Sequence, residues 1–143
     1  GNRCGYVVGP DAETMATVRR ASTHNYYCAP QGSQLAAARV LDCGDDWITH
    51  ARAAYREAGA RAADTLGLAR PEGGTFLFLD VAEHLDESGM QGFMNRCIDQ
   101  GLILAPGASC GAAYSSHVRL CFTSAPPEVV QRGVAVLARI IGR

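Results

Sequence analysis

Ile48, Ala51, Tyr55, Ala58, Ala62 and Leu66 recur at three- and four-residue intervals, and this stripe constrains the fold more than any other feature. The spacing predicts one long helix with a single apolar face. Asp45 and Asp46 stand where acidic side chains favour a helix start, just after Cys43-Gly44. Gly67 and Pro71 close the run. Small residues dominate the stripe, so a neighbouring element can approach closely.

The segments that follow alternate in type. Pro71-Glu72-Gly73-Gly74 reads as a turn, and Thr75 to Val81 as a short apolar strand covered on both faces. Met90, Phe93, Met94, Cys97 and Ile98 mark a helical face that Gly101 stops. Leu102 to Ala105 reads as a strand and Pro106-Gly107 to Ser116 as a loop. His117 to Thr123 alternates, with Val118, Leu120 and Phe122 on one face and Arg119 and Cys121 on the other. A last helix starts near Ser124-Pro126-Pro127-Glu128, its core side being Val130, Val134, Leu137 and Ile141. From Asp45 the order is thus helix, strand, helix, strand, strand, helix. That is an α/β (α+β) layer, a small sheet with helices packed on it.

Residues 1–44 read as the end of another unit. Arg3 to Gly9 is expected to form a buried strand centred on Tyr6, Val7 and Val8, although such a strand needs sheet neighbours. Pro10-Asp11 opens a helix with Met15, Val18 and Ala21 inward, and a second runs from about Gln31 to Leu41 with Leu35, Ala38 and Leu41 on one side.

Composition narrows the function classes. With 48% hydrophobic and 19% charged residues, the 143-residue chain has enough apolar content to fold. A net charge of −1, with no basic run beyond Arg19-Arg20, points away from nucleic acid and membrane surfaces. No apolar run reaches the length of a membrane span. The six cysteines form no Cys-x-x-Cys pair and read as reduced, buried side chains of a cytoplasmic protein. The four histidines lack zinc-type spacing, so no metal is expected. All 13 basic side chains are arginine, and without lysine no side chain of the segment can form a Schiff base.

Arg119 is the most informative single residue. A guanidinium in mid-strand between hydrophobic neighbours meets an anion or turns to water, and spacing alone does not choose. Arginine grips a carboxylate through two parallel hydrogen bonds. Arg3, in Gly1-x-Arg3-x-Gly5-Tyr6, suits a phosphate or a plain surface position. Gly73-Gly74 suits either a turn or a close approach to a ligand. Gly107-Ala108-Ser109-Cys110-Gly111 has the Gly-x-Ser-x-Gly form of a nucleophile elbow, but an elbow leads into a helix and this segment leads toward a strand.

Read in order, five pieces resemble the C-terminal portion of class I/II, fold-type-I aminotransferases that depend on pyridoxal 5'-phosphate. They are Gly1-x-Arg3-x-Gly5-Tyr6-Val7-Val8-Gly9-Pro10, Gln34-x-Ala36-x-x-x-Val40-Leu41, Pro71-Glu72-Gly73-Gly74-Thr75-Phe76-Leu77-Phe78-Leu79, Leu104-Ala105-Pro106-Gly107 and Val118-Arg119-Leu120-Cys121-Phe122. The resemblance implies that Arg3 binds the cofactor phosphate and Arg119 the substrate α-carboxylate, with the turns at Gly74 and Gly107 bordering the substrate pocket. Residues 1–44 would end the large cofactor-binding domain. Residues 45–143 would be the small C-terminal domain with the long interdomain helix. The implied activity moves an amino group between an amino acid and a 2-oxo acid in a homodimer. The family's Schiff-base lysine would fall before Gly1, so the segment alone is expected to be inactive and to hold no catalytic residue. A lyase or synthase of the same fold, or an aminotransferase-like effector domain of a transcription regulator, would share these features.

Overall fold

The computed structural model describes residues 3–143. They divide into two compact units, Gly1–His50 and Ala51–Arg143.

The first unit holds α1 (Ala12–Asn25), α2 (Gln31–Cys43) and the opening of α3 (Asp45–Thr65). Asp11 caps α1, its Oδ1 accepting from the Thr14 backbone N–H at 2.7 Å. Gly44 ends α2 by donating its N–H to the Val40 carbonyl at 2.8 Å. The strand expected over Arg3 to Gly9 does not form: these residues are irregular, with Tyr6, Val7 and Val8 exposed. A strand needs partners for its backbone N–H and C=O groups, and among the described residues the unit contains no other strand. For the same reason Leu35, Ala38 and Leu41 line no core, and no described residue up to His50 is buried.

The second unit carries the core. Its sheet has the order β1-β3-β2, with β1 (Phe76–Asp80) and β2 (Ala105–Pro106) both antiparallel to β3 (His117–Cys121). Helices α4 (Gly89–Asp99) and α5 (Pro127–Ile140) pack against each other and, with the end of α3, on one face of the sheet. Phe93, Leu66, Leu137, Val118, Val134 and Cys97 are fully enclosed. Burying a large aliphatic or aromatic side chain contributes about 1.5–3 kcal/mol, so these residues hold the unit together. The faces expected for α4 and α5 are found, with Phe93, Cys97, Val130, Val134, Leu137 and Ile141 buried and Ile98 left outside.

The close approach expected along α3 occurs only toward its end. Ala58, Gly59, Ala62 and Ala63 are buried, whereas Tyr55 stays 39% exposed. A Cβ on Gly59 would lie 3.0 Å from the Phe122 ring, so this crossing admits nothing larger than glycine without a shift. The helix stops where Gly67 donates to the Asp64 carbonyl and Leu68 reaches back to the Ala63 carbonyl. Gly101 and Leu102 end α4 in the same way, through the Ile98 and Cys97 carbonyls.

Two strands differ from expectation. β1 is covered on one face only: Leu77 and Leu79 are buried, while Phe76 and Phe78 are 46% and 40% exposed. All the packing helices lie on the leucine side, so the run of four apolar residues marks a half-buried strand with aromatic residues on its open face. β2 shrinks to Ala105–Pro106, because Leu102 is taken up in ending α4. The expected loop after it winds into two short 3-10 turns, Gly107–Cys110 and Ala112–Tyr114.

Candidate functional site

The open face of the sheet in the second unit gathers the chemistry. Register places Arg119 in the middle of β3, opposite Phe78 on β1 and Ala105 on β2. The alternation that buries Val118 and Leu120 turns Arg119, His117 and Cys121 to this face, and their partners Phe78, Asp80 and Phe76 share it. The Arg119 guanidinium lies over the Phe76 ring, 4.4 Å from its centroid. Stacking of this kind fixes the plane of the fork without using its N–H donors. Among the described residues no carboxylate pairs with Arg119 and no acceptor takes a hydrogen bond from its side chain. Other arginines are engaged: Arg70 with Asp64 at 2.8 Å, Arg96 with Asp86, and Arg143 with the Leu66 carbonyl.

Beside Arg119 three rings close on one another. The Phe78 centroid lies 5.2 Å from Tyr114 and 5.0 Å from His117, and Tyr114 is 5.4 Å from His117. Asp80 borders this cluster, with Oδ1 3.9 Å from His117 Nδ1. The Ser116 hydroxyl first, and then the Ala82 N–H donating to Oδ1 at 3.0 Å, hold the Asp80 carboxyl below its ordinary range, with a smaller pull from His117.

The glycines implied by resemblance stand at opposite ends of β3. Gly74 lies two residues before the start of β1, whose Phe76 pairs with Cys121, while Gly107 follows β2, whose Pro106 pairs with Val118. Gly74 has φ +76° and open space where a Cβ would be. It borders a cavity of about 420 Å³ with Arg52, Tyr55, Arg56 and Glu72. Gly107 is buried, packed against the Tyr114 and His117 backbones. Arg119 borders a different cleft, of about 730 Å³, with Leu102–Ala105, Ser124 and Arg132. Arg3 lies in the first unit, exposed, at φ 50°. Phe76, Phe78, Tyr114 and His117 escaped the sequence reading. The alternation that assigned Arg119 its face already places His117 beside it, and pairing β1 with β3 would have added Phe76 and Phe78.

The remaining chemistry is thin. The Gly-x-Ser-x-Gly segment is a 3-10 turn with the Ser109 hydroxyl donating to the Pro106 carbonyl at 2.8 Å, which rules out an elbow. All six cysteines are free. Against expectation only Cys97 is buried, Cys28, Cys43 and Cys110 being exposed, and burial pushes the Cys97 thiol up, away from the nucleophilic form. Among the described residues no cluster of three metal-ligating side chains occurs, and no helix is long and apolar enough to cross a membrane.

This fold is that of part of an aminotransferase. The chain is similar to LysN, the alpha-aminoadipate aminotransferase of Thermus thermophilus, solved with N-(5'-phosphopyridoxyl)-L-leucine, at a TM-score of 0.71 and 22% identity over 91% of this chain. It is similar also to the kynurenine aminotransferase of Pyrococcus horikoshii, solved with PMP, at 0.65 and 24% over 91%. The chain spans 36% and 34% of the length of those two proteins. No protein-family model and no curated protein matches it.

Proposed function

We propose that the chain is the C-terminal part of a pyridoxal-phosphate-dependent aminotransferase that moves an amino group between an amino acid and a 2-oxo acid. Residues 1–44 end the large cofactor-binding domain, and residues 45–143 form the small domain with its interdomain helix. The whole protein works as a cytoplasmic homodimer. One observation carries this reading: Arg119 stands on the open sheet face, stacked on Phe76, with no carboxylate partner among the described residues. A guanidinium held this way is ready for an incoming carboxylate, and the shared fold with two aminotransferases supplies the context.

The donor chemistry fits an anionic cofactor and an amino acid. Bound pyridoxal phosphate supplies the electron sink, with Arg3 holding its phosphate. Arg119 binds and orients the substrate α-carboxylate through its two parallel N–H donors. The turns at Gly74 and Gly107 border the pocket. The lysine that completes the centre belongs to the rest of the polypeptide, since this segment has none.

Kinetics of the whole protein test the assignment. A hydrogen bond to a charged group is worth about 1.5–3 kcal/mol. Arg119→Gln should therefore lower kcat/KM for an amino acid by roughly tenfold to hundredfold, mainly through KM. Turnover of a primary amine lacking the carboxylate should not change. A variant that transaminates amino acids with the parent KM sinks the proposal. For the chain alone, borohydride reduction with pyridoxal phosphate should label no side chain.

A further inference from the structure

Arg119 shares its face with four aromatic side chains, and nothing in its assignment as a carboxylate grip requires them. Phe76 lies beneath the guanidinium. Phe78 is its cross-strand neighbour and touches both Tyr114 and His117. Phe78 and Tyr114 remain 40% and 42% exposed, although each already packs on two other rings. Buried rings would be explained as core; these are ordered by their neighbours and still face outward. Tyr114 is carried by the second 3-10 turn, and that segment is pinned by the close approach of Gly107 to the Tyr114 and His117 backbones. The backbone that carries Tyr114 and His117 is thus closely packed against Gly107.

Charge on this face is asymmetric. Among the described residues Arg119 is a cation without a carboxylate partner at the centre of β3, while the anionic Asp80 borders the ring cluster at its His117 end. A second carboxylate directed along the face away from Arg119 would meet Asp80. Like charges brought together in this way are disfavoured, whereas an uncharged ring laid on Phe78 and Tyr114 meets favourable edge and face contacts.

We propose that the Phe78–Tyr114–His117 wall is the side-chain subsite beside Arg119, and that it selects a monocarboxylate bearing an aromatic ring over aliphatic and dicarboxylic ones. This rests on Arg119 as the carboxylate grip and adds the class of substrate. Phe78 and Tyr114 are specificity-determining contacts, and Asp80 is the element that rejects a second acid group.

The chain itself is the material for the test, followed by NMR on the Arg119 Nε–Hε and Tyr114 ring signals during titration with phenylacetate, acetate and succinate. Phenylacetate should move both signals and half-saturate at a concentration at least tenfold below that of acetate or succinate. Acetate should move the Arg119 signal alone. Phe78→Leu, which keeps an apolar residue in the strand, should bring phenylacetate to within threefold of acetate. If phenylacetate and acetate move Arg119 at equal concentrations with Tyr114 unmoved, the subsite is refuted and the carboxylate grip stands. If no acid moves Arg119, the grip itself fails and the subsite falls with it.

Discussion

Gly107 and Gly74 are alike as sequence and differ in what they tolerate. A Cβ on Gly107 would sit 2.5 Å from the Tyr114 carbonyl oxygen and 2.7 Å from the His117 carbonyl oxygen. These are backbone atoms, and they cannot swing aside as a side-chain end would. Gly107→Ala should therefore destabilise the chain by about 1–3 kcal/mol, the range for an overpacked interior. Gly74 has the left-handed backbone, φ +76°, and nothing within 4 Å. Gly74→Ala should cost about 1 kcal/mol, from conformation alone. Urea melts of the two variants check the order, and a Gly107 variant no weaker than the Gly74 one would show that the 107–116 segment moves freely. The sequence marks both as turn glycines and cannot separate them, because the difference lies in backbone atoms of Tyr114 and His117 that come close only after folding. Arg119 was legible in the sequence because it breaks an apolar alternation. Its stacking partner was not, because Phe76 lies in what looks like one unbroken hydrophobic run.

At the scale of elements, legibility follows how much of the packing a segment carries in its own period. The faces of α4 and α5 could be read directly, since Phe93 with Cys97 and Val130 with Val134 repeat at helical spacing and pack within this unit. β1 could not, since consecutive apolar residues give no sign of which face lacks a cover. The segment from His84 to Arg96 adds an element-scale prediction. The Ser88 hydroxyl and N–H foremost, with Arg96 adding a smaller pull, hold the Asp86 carboxyl below its ordinary range. Arg96 also donates to the His84 carbonyl at 3.0 Å, so the ionised carboxylate belongs to a network tying α4 to the turn before it. A carboxyl whose folded pKa lies below its unfolded one stabilises fully above the unfolded value of 3.8 and loses that contribution as pH falls through the folded value. Asp86→Asn should therefore lower Tm at pH 7 and flatten its decline below about pH 4. Thermal melts from pH 2 to 7 measure this, and a Tm difference from the parent that stays constant across the range would contradict the assigned linkage.

For the molecule as a whole, the distribution of burial decides what is stable. Every buried residue among those described lies at or beyond Ala58, and the enclosed side chains form a single cluster that runs to Ile141. Up to His50, by contrast, the helices carry local caps and hydrogen bonds but bury no described residue. A short helix with no packed face is marginal in water, because nucleation is costly and its bonds repay little. Amide exchange should then separate the two units. Amides of Phe93, Val118 and Val134 should exchange only through global unfolding and share one free energy, while those of α1 and α2 should exchange through local opening, orders of magnitude faster. Phe93→Ala sharpens the contrast. Removing a fully buried phenylalanine costs about 3–5 kcal/mol, so protection around Val118 and Val134 should fall by at least a hundredfold while α1 and α2 stay as they were. Equal slowing of α1 and of Val134 in the parent chain would mean that the first unit is held by something other than its own packing. A loss confined to α4 in the variant would mean that the core is not one cooperative body.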